Sequence, residues 1–289
     1  MSFIHERPFW AIPGARATDE RLVLNRREFV SAIGAAGAVA AGILPGCDRG
    51  VDAEAPPGPA TRPSMPGLYP AKRNAKYTLD RKLSRRDSAL RYVNYYEFDA
   101  SNKSAAVRLA QKLVTYPWSV EVSGLVRHPK RFDVDDLVRR FPLEERLYRH
   151  RCVETWAMAV PWTGFPLRLL LDAVEPLPQA KYVRFVSFLR PKQAPGQQSG
   201  STYPWPYHEG LRLDEARNEL ALLATGIYGQ PLPKQNGAPI RLVVPWKYGY
   251  KSIKAIERIE LVAQRPPTFW NSVSPVEYGF ESNVNPKVP

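Results

Sequence analysis

Cysteine, methionine and histidine are scarce in this chain, which has two, three and four of them among its 289 residues. The sequence contains no CxxC motif, so this chain alone cannot support a dithiol redox cycle. A structural zinc site is also excluded, because the cysteines and histidines are too few and too dispersed. A CxxCH haem-attachment motif is missing as well. Any electrons that the protein uses must therefore come from another molecule.

Acidic residues are also few, with 28 Asp and Glu against 41 Lys and Arg, for a net charge of +13. The basic residues lie in scattered pairs such as Lys72-Arg73 and Arg139-Arg140, without a long basic block. The sequence has no zinc-finger spacing, RNP motif or basic helix, and so we predict no nucleic-acid partner. A solvated basic surface is the simplest interpretation, and an acidic partner surface or an anionic cofactor are the alternatives.

Residues 1–47 have the pattern of a twin-arginine signal peptide. The pair Arg26-Arg27 precedes an apolar run over residues 29–44 that is rich in Ala and Gly. About 20 apolar residues are needed to cross a bilayer, so this run favours a signal peptide over a membrane span. The alternative is a small-residue core helix. Cys47 ends an "LPGC" sequence that loosely resembles a lipoprotein processing site, so it is either lipidated, removed with the signal or left in a mobile tail. We therefore predict a periplasmic protein that is exported folded.

The rest of the chain reads as a linker followed by one domain. Residues 48–75 contain six prolines and almost no large apolar residues, which is typical of an extended linker. Residues 76–289 show no second linker and no internal repeat. With 44% hydrophobic and 11% aromatic residues, the chain can bury a substantial core. We therefore predict a single catalytic domain over residues 76–289.

Strand patterns are clearer than helix patterns in this domain. We predict strands over residues 119–124, 146–153, 181–188, 240–246 and 256–262. We predict short helices in residues 132–141, capped by Asp133, in residues 165–175, starting near Pro166, and in residues 211–220. Strands and helices alternate irregularly, without a regular βαβ pattern, which favours an α+β fold with mixed β-sheets and short helices.

Cys152 is the chemically distinctive residue of the domain. A cysteine hydrolase would need a histidine beside the thiol, and His150 is poorly placed because it lies only two residues away on an extended strand. A buried, inert cysteine is a second interpretation. A third is a thiolate ligand of a soft metal whose other ligands come from a cofactor. One protein sulfur would suffice for a molybdenum ion that already carries two dithiolene sulfurs from a pterin.

Several longer stretches resemble a known family. "YRHRCVETWAMAVPWTGFPL", "LPKQNGAPIRLVVPWKYGYKSIKAI" and "QRPPTFWN" closely resemble the periplasmic, molybdopterin-dependent protein-methionine-sulfoxide reductase catalytic subunits, within the sulfite oxidase superfamily. The resemblance runs from "YVNYYEF" at residue 92 to the end of the chain. It implies a sulfite-oxidase-like molybdopterin-binding fold and a molybdenum-molybdopterin cofactor.

The resemblance also assigns site residues. It makes Cys152 the molybdenum ligand and the catalytic residue. The cofactor-binding residues that it implies are Asn94, Tyr96, Glu97, Ser187, Asn236, Arg241, Ser252, Ile253 and Lys254. These types suit the ligand, because a phosphate favours guanidinium, ammonium and N–H donors, and the edge of a pterin favours amide and carbonyl groups. Singly, each has an ordinary alternative, such as a turn at Asn236-Gly237. Glu154 is either an acid close to the metal or a solvated surface charge.

The function implied by the resemblance is reduction of methionine sulfoxide in periplasmic proteins, an oxygen-atom transfer that repairs oxidised proteins. The implied partners are a haem-containing membrane subunit that supplies electrons and the oxidised periplasmic proteins themselves. One alternative is a sulfite-oxidising molybdoenzyme. An alternative of another class is a cofactor-free periplasmic binding protein that uses the aromatic surface.

Overall fold

The computed structural model describes residues 65–198 and 202–285. The predicted signal peptide, Cys47 and residues 48–64 of the predicted linker lie outside the described residues. Within the described ranges, no helix has both the length and the apolar character that a membrane span requires. Tyr69 donates a hydrogen bond to Thr225 Oγ1 at 2.8 Å, and the Asn74 amide donates to Glu145 O at 2.8 Å. Residues 65–75 therefore pack against the body of the domain.

The first sheet has five strands in the order β2-β1-β10-β5-β6. These strands are β1 (Ser119–Gly124), β2 (Lys130–Asp133), β5 (Tyr182–Ser187), β6 (His208–Arg212) and β10 (Ile256–Val262). Strands β1 and β10 pair in parallel, and the other neighbours pair antiparallel. Along β1, Val120 and Val122 are buried, and Glu121 between them is partly exposed, as expected for a strand with one face on the core.

The second sheet is antiparallel and follows the order β3-β4-β7-β8, with β9 also paired to β7. These strands are β3 (Glu144–Arg151), β4 (Ala157–Pro166), β7 (Leu222–Ile227), β8 (Gln230–Pro231) and β9 (Arg241–Val243). Strand β7 is buried at every position, because other strands flank it on both edges and the core covers it. The two sheets together confirm the predicted mixed β architecture.

The helices are short. They are α1 (Arg86–Arg91), α2 (Lys103–Ala110), α3 (Val134–Arg140), α4 (Leu167–Val174), α5 (Leu213–Ala216) and α6 (Phe269–Val273). Three 3-10 turns cover Pro195–Gln197, Lys234–Asn236 and Gly249–Lys251. The predicted cap of α3 is confirmed, because the Asp133 side chain accepts a hydrogen bond from the Asp135 amide at 2.7 Å.

The structure shortens several predicted elements. The predicted strand over 240–246 forms pairs only at Arg241–Val243, because the chain then enters a turn in which Lys247 N donates to Val244 O. The predicted helix over 211–220 is a single turn, because the residues before Leu213 pair as β6 with β5. Strand β3 ends at Arg151, so Cys152 lies in the turn that follows it. That turn places Cys152 at the larger hydrophobic core, where Val153 and Ile253 are also buried.

Candidate active site

A deep pocket lies where the end of β3 meets the loop before α2, the Lys234–Asn236 turn, β9 and the loop over residues 249–254. Nine of the ten predicted site residues line it. They are Asn94, Tyr96, Glu97, Cys152, Asn236, Arg241, Ser252, Ile253 and Lys254. The fold thus brings together residues from segments that are far apart in the sequence. Ser187 does not line the pocket.

Cys152 is held by the tight turn that joins β3 to β4. Its amide donates to Trp156 O at 2.9 Å, and the Thr155 amide donates to Cys152 O at 3.2 Å. Thr155 has a positive φ of 70°, which closes the turn. Two donors point at the sulfur: Asn94 Nδ2 at 3.7 Å and the Glu154 amide at 3.5 Å. N–H donors stabilise a thiolate over a thiol, so the turn prepares the sulfur to act as a metal ligand.

Among the described residues, Cys152 is not part of a cluster of side chains that could by itself bind a metal ion. Within the described ranges, no group of three or more Cys, His, Asp and Glu side chains is arranged to hold a metal ion. His150 also lines the pocket, and burial together with Arg241 and Lys254 lowers its pKa to about 3, so the imidazole is neutral. A metal at Cys152 would therefore take its remaining ligands from a cofactor or from solvent.

Two buried cations line the pocket beside the thiol. The Arg241 guanidinium donates to the carbonyls of Asn236 at 3.0 Å and Ser252 at 2.9 Å, and burial lowers its pKa to about 10. Lys254 Nζ donates to Asn94 O at 2.8 Å, and burial, then Arg241, lowers its pKa. Among the described residues, neither cation forms an ion pair with a carboxylate within 4 Å. An anion bound in the pocket would relieve both burial costs.

Glu97 is the buried acid that faces these cations. It is 4% exposed, and burial raises its pKa while Lys254 opposes that rise. A carboxyl group in this setting is only partly ionised near neutral pH, so it offsets the two cations only in part. Arg241 and Lys254 together fit an anionic ligand such as a phosphate.

Two polar atoms in the pocket wall have no hydrogen-bond partner among the residues that the structure describes. Asn236 donates from Nδ2 to Ala89 O at 3.0 Å, whereas its Oδ1 is buried and unpaired. Trp162 Nε1 is also buried and unpaired, and its ring stacks under the Arg241 guanidinium at 4.8 Å. Buried polar atoms are normally hydrogen-bonded, so an unpaired acceptor and an unpaired donor in one wall indicate a ligand that offers both. The edge of a pterin does so, and the pocket fits the predicted cofactor.

Ser187 and Gly237 hold the back of the pocket in place. Ser187 Oγ lies 2.8 Å from Lys254 O and 3.1 Å from Ala255 O, so its hydroxyl supports the loop that carries Lys254. Gly237 has a φ of +99°, and a Cβ there would lie 2.9 Å from Lys254 Cβ. Only glycine combines this conformation with such a close approach. Both residues therefore position the lysine from outside the pocket.

The pocket rim carries a polar cluster that the sequence did not predict in full. Glu154 Oε2 accepts hydrogen bonds from Asn94 Nδ2 at 3.1 Å, Trp156 Nε1 at 3.1 Å and Lys103 Nζ at 3.0 Å. Lys103 Nζ also donates to Asn94 Oδ1 at 2.6 Å. Glu154 is therefore part of the site network and orients the amide that faces Cys152 Sγ. Nothing in the sequence pointed to Lys103, which begins α2 and belongs to no motif.

Comparison with known proteins gives an independent view of the chain. Residues 108–270 match the family model described as "Oxidoreductase molybdopterin binding domain". A protein of Ralstonia nicotianae, named protein-methionine-sulfoxide reductase catalytic subunit MsrP, is 47% identical over 277 residues, which are 96% of this chain and 80% of that protein. A protein of the same name from Burkholderia mallei is also 47% identical over 277 residues, 96% of this chain and 81% of that protein.

Among solved structures, the crystal structure of the sulfane dehydrogenase SoxCD from Paracoccus pantotrophus resembles the chain. The likeness has a TM-score of 0.43 and a sequence identity of 20%. It covers 53% of this chain and 40% of that one.

Proposed function

The chain belongs to the family of protein-methionine-sulfoxide reductase catalytic subunits, and we propose that its substrates are methionine sulfoxide residues in oxidised proteins of the periplasm. The two relatives, each 47% identical over 96% of the chain, establish the membership. The chain is therefore an oxidoreductase with a molybdopterin-binding domain, and the predicted sulfite-oxidase-like α+β fold is confirmed.

The observation that supports this function most strongly is the composition of the pocket wall. A thiol that two N–H donors face lies close to two buried cations, which form no ion pair within 4 Å among the described residues, and to an unpaired amide oxygen. When bound, the molybdenum-molybdopterin cofactor supplies two-electron oxygen-atom transfer. The overall reaction joins a sulfoxide with two electrons and two protons, and gives a thioether and water. Each of these residues would then contact one part of the bound cofactor.

The residues of this chain divide the work of holding the cofactor. The Cys152 thiolate would bind the metal, with the Asn94 amide directed at the sulfur. Arg241 and Lys254 would pair with the phosphate, since both are cations in a wall that lacks an ion-paired carboxylate among the described residues. Asn236 Oδ1 and Trp162 Nε1 would pair with the pterin edge. The unpaired atoms would then be satisfied in the holoenzyme.

The mouth of the pocket suits a methionine side chain. Tyr92 and Trp156 meet edge to face at 5.3 Å between ring centroids, and Met158 lines the pocket beside them. Tyr96 and Trp270 form a second aromatic pair in the lining, at 5.0 Å. Apolar aromatic walls exclude water and contact the thioether carbons. The Lys103 ammonium and the Asn94 amide lie close by and would donate hydrogen bonds to the sulfoxide oxygen.

The electron donor in this proposal is a haem-containing membrane subunit, and the catalytic subunit is exported to the periplasm by the twin-arginine route. Three observations support these details. The sequence has no haem-attachment motif, the relatives are named catalytic subunits, and Arg26-Arg27 precede a short apolar run. The net charge of +13 would also favour an encounter with an anionic membrane surface. Repair of oxidised periplasmic proteins is the role that follows.

The direct test replaces the thiol. We expect Cys152→Ala to fold, to lose molybdenum and to lose methionine sulfoxide reduction with an artificial electron donor, because no other thiol lines the described pocket. Cys47→Ala serves as the matched control and should keep both metal and activity. Metal and pterin analysis of purified protein accompanies the assay.

Three results would contradict the proposal in different ways. Normal activity in Cys152→Ala would exclude the thiolate as the metal ligand. Efficient sulfite oxidation without sulfoxide reduction would favour the sulfite-oxidising alternative. Purified protein that contains neither molybdenum nor pterin would favour a cofactor-free binding protein.

A further inference from the structure

An open groove lies directly beside the pocket and shares Tyr92 and Met158 with it. Its other lining residues come from α1, from the start of α2 and from the chain next to them. They are Arg85, Asp87, Ser88, Arg91, Ser101, Asn102, Lys103 and Ser104. The groove therefore leads to the same aromatic mouth at which a methionine sulfoxide would enter.

The groove is positively charged, and two of its charged side chains are exposed and can contact a ligand. Arg85 and Arg91 are exposed and form no ion pair with any residue that the structure describes. Lys103 is partly compensated by Glu154 at 3.0 Å. Asp87 is the single acid among the described lining residues. The groove thus presents two uncompensated guanidinium groups, which bind carboxylates well because of their forked geometry.

The remaining lining favours a polypeptide as the occupant. Serine hydroxyl groups at three positions and the Asn102 amide offer hydrogen bonds that suit peptide groups. The aromatic and thioether groups of Tyr92 and Met158 lie where the groove meets the pocket. A chain lying in the groove would place one side chain in the pocket and its neighbours against the arginines.

We propose that this groove binds the polypeptide on either side of the substrate methionine sulfoxide and selects segments rich in Asp and Glu. This inference rests on the proposed function, because it assigns the sequence context of the same substrate. It follows from charge complementarity between acidic side chains and the Arg85 and Arg91 guanidinium groups at the mouth of the active site.

The test compares two oxidised peptides on the holoenzyme with a small artificial electron donor. Each peptide carries one methionine sulfoxide, flanked on both sides by two glutamates in the first peptide and by two glutamines in the second. We expect kcat/KM for the acidic peptide to be about fivefold higher at low salt, since two exposed ion pairs are each weak. The preference should fall toward one as ionic strength rises.

The double variant Arg85→Gln/Arg91→Gln should lower the ratio of the two kcat/KM values to about one. The Arg85 side chain makes no capping hydrogen bond to α1, so its replacement removes no cap. Arg139→Gln/Arg140→Gln removes the same charge from the last turn of α3, outside the groove, and should keep the preference. Molybdenum content of each protein verifies that it is loaded.

Other outcomes would overturn the inference. An equal ratio in the wild type, or an unchanged ratio in the groove variant, would show that the groove does not select acidic segments. A groove variant that reacts poorly with the membrane electron donor, yet keeps its peptide preference, would assign the groove to that partner. If the enzyme reduces neither peptide nor free methionine sulfoxide, the proposed function is refuted as well. If it reduces both peptides equally well, only the inference about the groove is refuted.

Discussion

Arg241 gives the sharpest test of whether the pocket is built for an anion. Replacement by Met keeps an unbranched apolar chain at this position but removes the buried charge. We expect Arg241→Met to change the stability of the cofactor-free protein little and to reduce cofactor retention strongly. The two effects differ because the buried guanidinium destabilises the folded protein when no anion is bound, whereas it binds the anion when the cofactor is present.

The size of the effect follows from the contacts of Arg241. Burial lowers its pKa from 12.5 to about 10, which corresponds to roughly 3 kcal/mol against the charged form. This cost applies at neutral pH and disappears as the pH rises above the unfolded value. Removing the guanidinium relieves it but leaves Asn236 O and Ser252 O without their donor, at about 1–3 kcal/mol each. At the middle of that range the two carbonyls cost about 4 kcal/mol against the roughly 3 kcal/mol relieved, so the free energy of unfolding should change by less than about 2 kcal/mol.

In the holoenzyme as proposed, the same substitution would remove the partner of a buried phosphate. Breaking a buried ion pair costs about 3–5 kcal/mol, which lowers affinity by a factor of about 100 to 4,000. The assay has two parts. Urea denaturation measures the unfolding free energy of protein produced without molybdenum cofactor. Metal and pterin analysis after gel filtration measures cofactor retention in protein produced with it.

Arg146 supplies a control with the opposite expectation. It is 2% exposed, donates to Tyr148 OH at 2.9 Å and Glu219 O at 2.6 Å, pairs with Glu144 and does not line the pocket. Arg146→Met should therefore lower the unfolding free energy by about 3 kcal/mol while the folded fraction keeps its cofactor. Full cofactor retention in Arg241→Met would refute the reasoning. So would a loss of stability in that variant as large as in Arg146→Met.

Two further predictions concern the pocket loop and the export signal. Gly237→Ala should destabilise the protein by about 2–3 kcal/mol and reduce its cofactor content, because the new Cβ would clash with Lys254. Gly67 also has a positive φ but no neighbour within 4 Å, so Gly67→Ala should cost only about 1 kcal/mol and keep its cofactor. Equal losses of stability and cofactor in the two variants would contradict this assignment. Replacing Arg26 and Arg27 by Lys should leave folded, loaded enzyme in the cytoplasm, and cell fractionation with unchanged periplasmic enzyme would exclude the twin-arginine route.

Local sequence patterns predicted the strands that alternate cleanly. The strands over 119–124 and 256–262 have the predicted bounds, because one face of each is apolar and the other polar. Strand β7 was missed, since "LLATGI" is buried on both faces and shows no alternation. The helix α5 was overestimated, because the tertiary pairing of β6 with β5 determines where it begins.

The resemblance of long sequence stretches predicted which residues belong to the site. It did not predict the contacts that support those residues. Lys103 and Glu154 are 51 positions apart, and no local pattern indicates that their side chains meet. Ser187 was placed in the cofactor site, whereas the structure shows it supporting the loop that carries Lys254. Sequence matching identifies residues that serve the site without showing whether they touch the ligand or hold those that do.

The buried charges connect the pocket to the way the protein would mature. Arg241, Lys254 and the unpaired Asn236 Oδ1 each make the cofactor-free pocket less favourable than a filled one. A ligand that binds only the folded chain stabilises it in proportion to the logarithm of its concentration over Kd, so cofactor loading and folding are thermodynamically coupled. The coupling favours a chain that folds around its cofactor before it is moved. An export route for folded proteins, as proposed from Arg26-Arg27, satisfies this requirement, because a route that unfolds the chain would release the group that the pocket is built to hold.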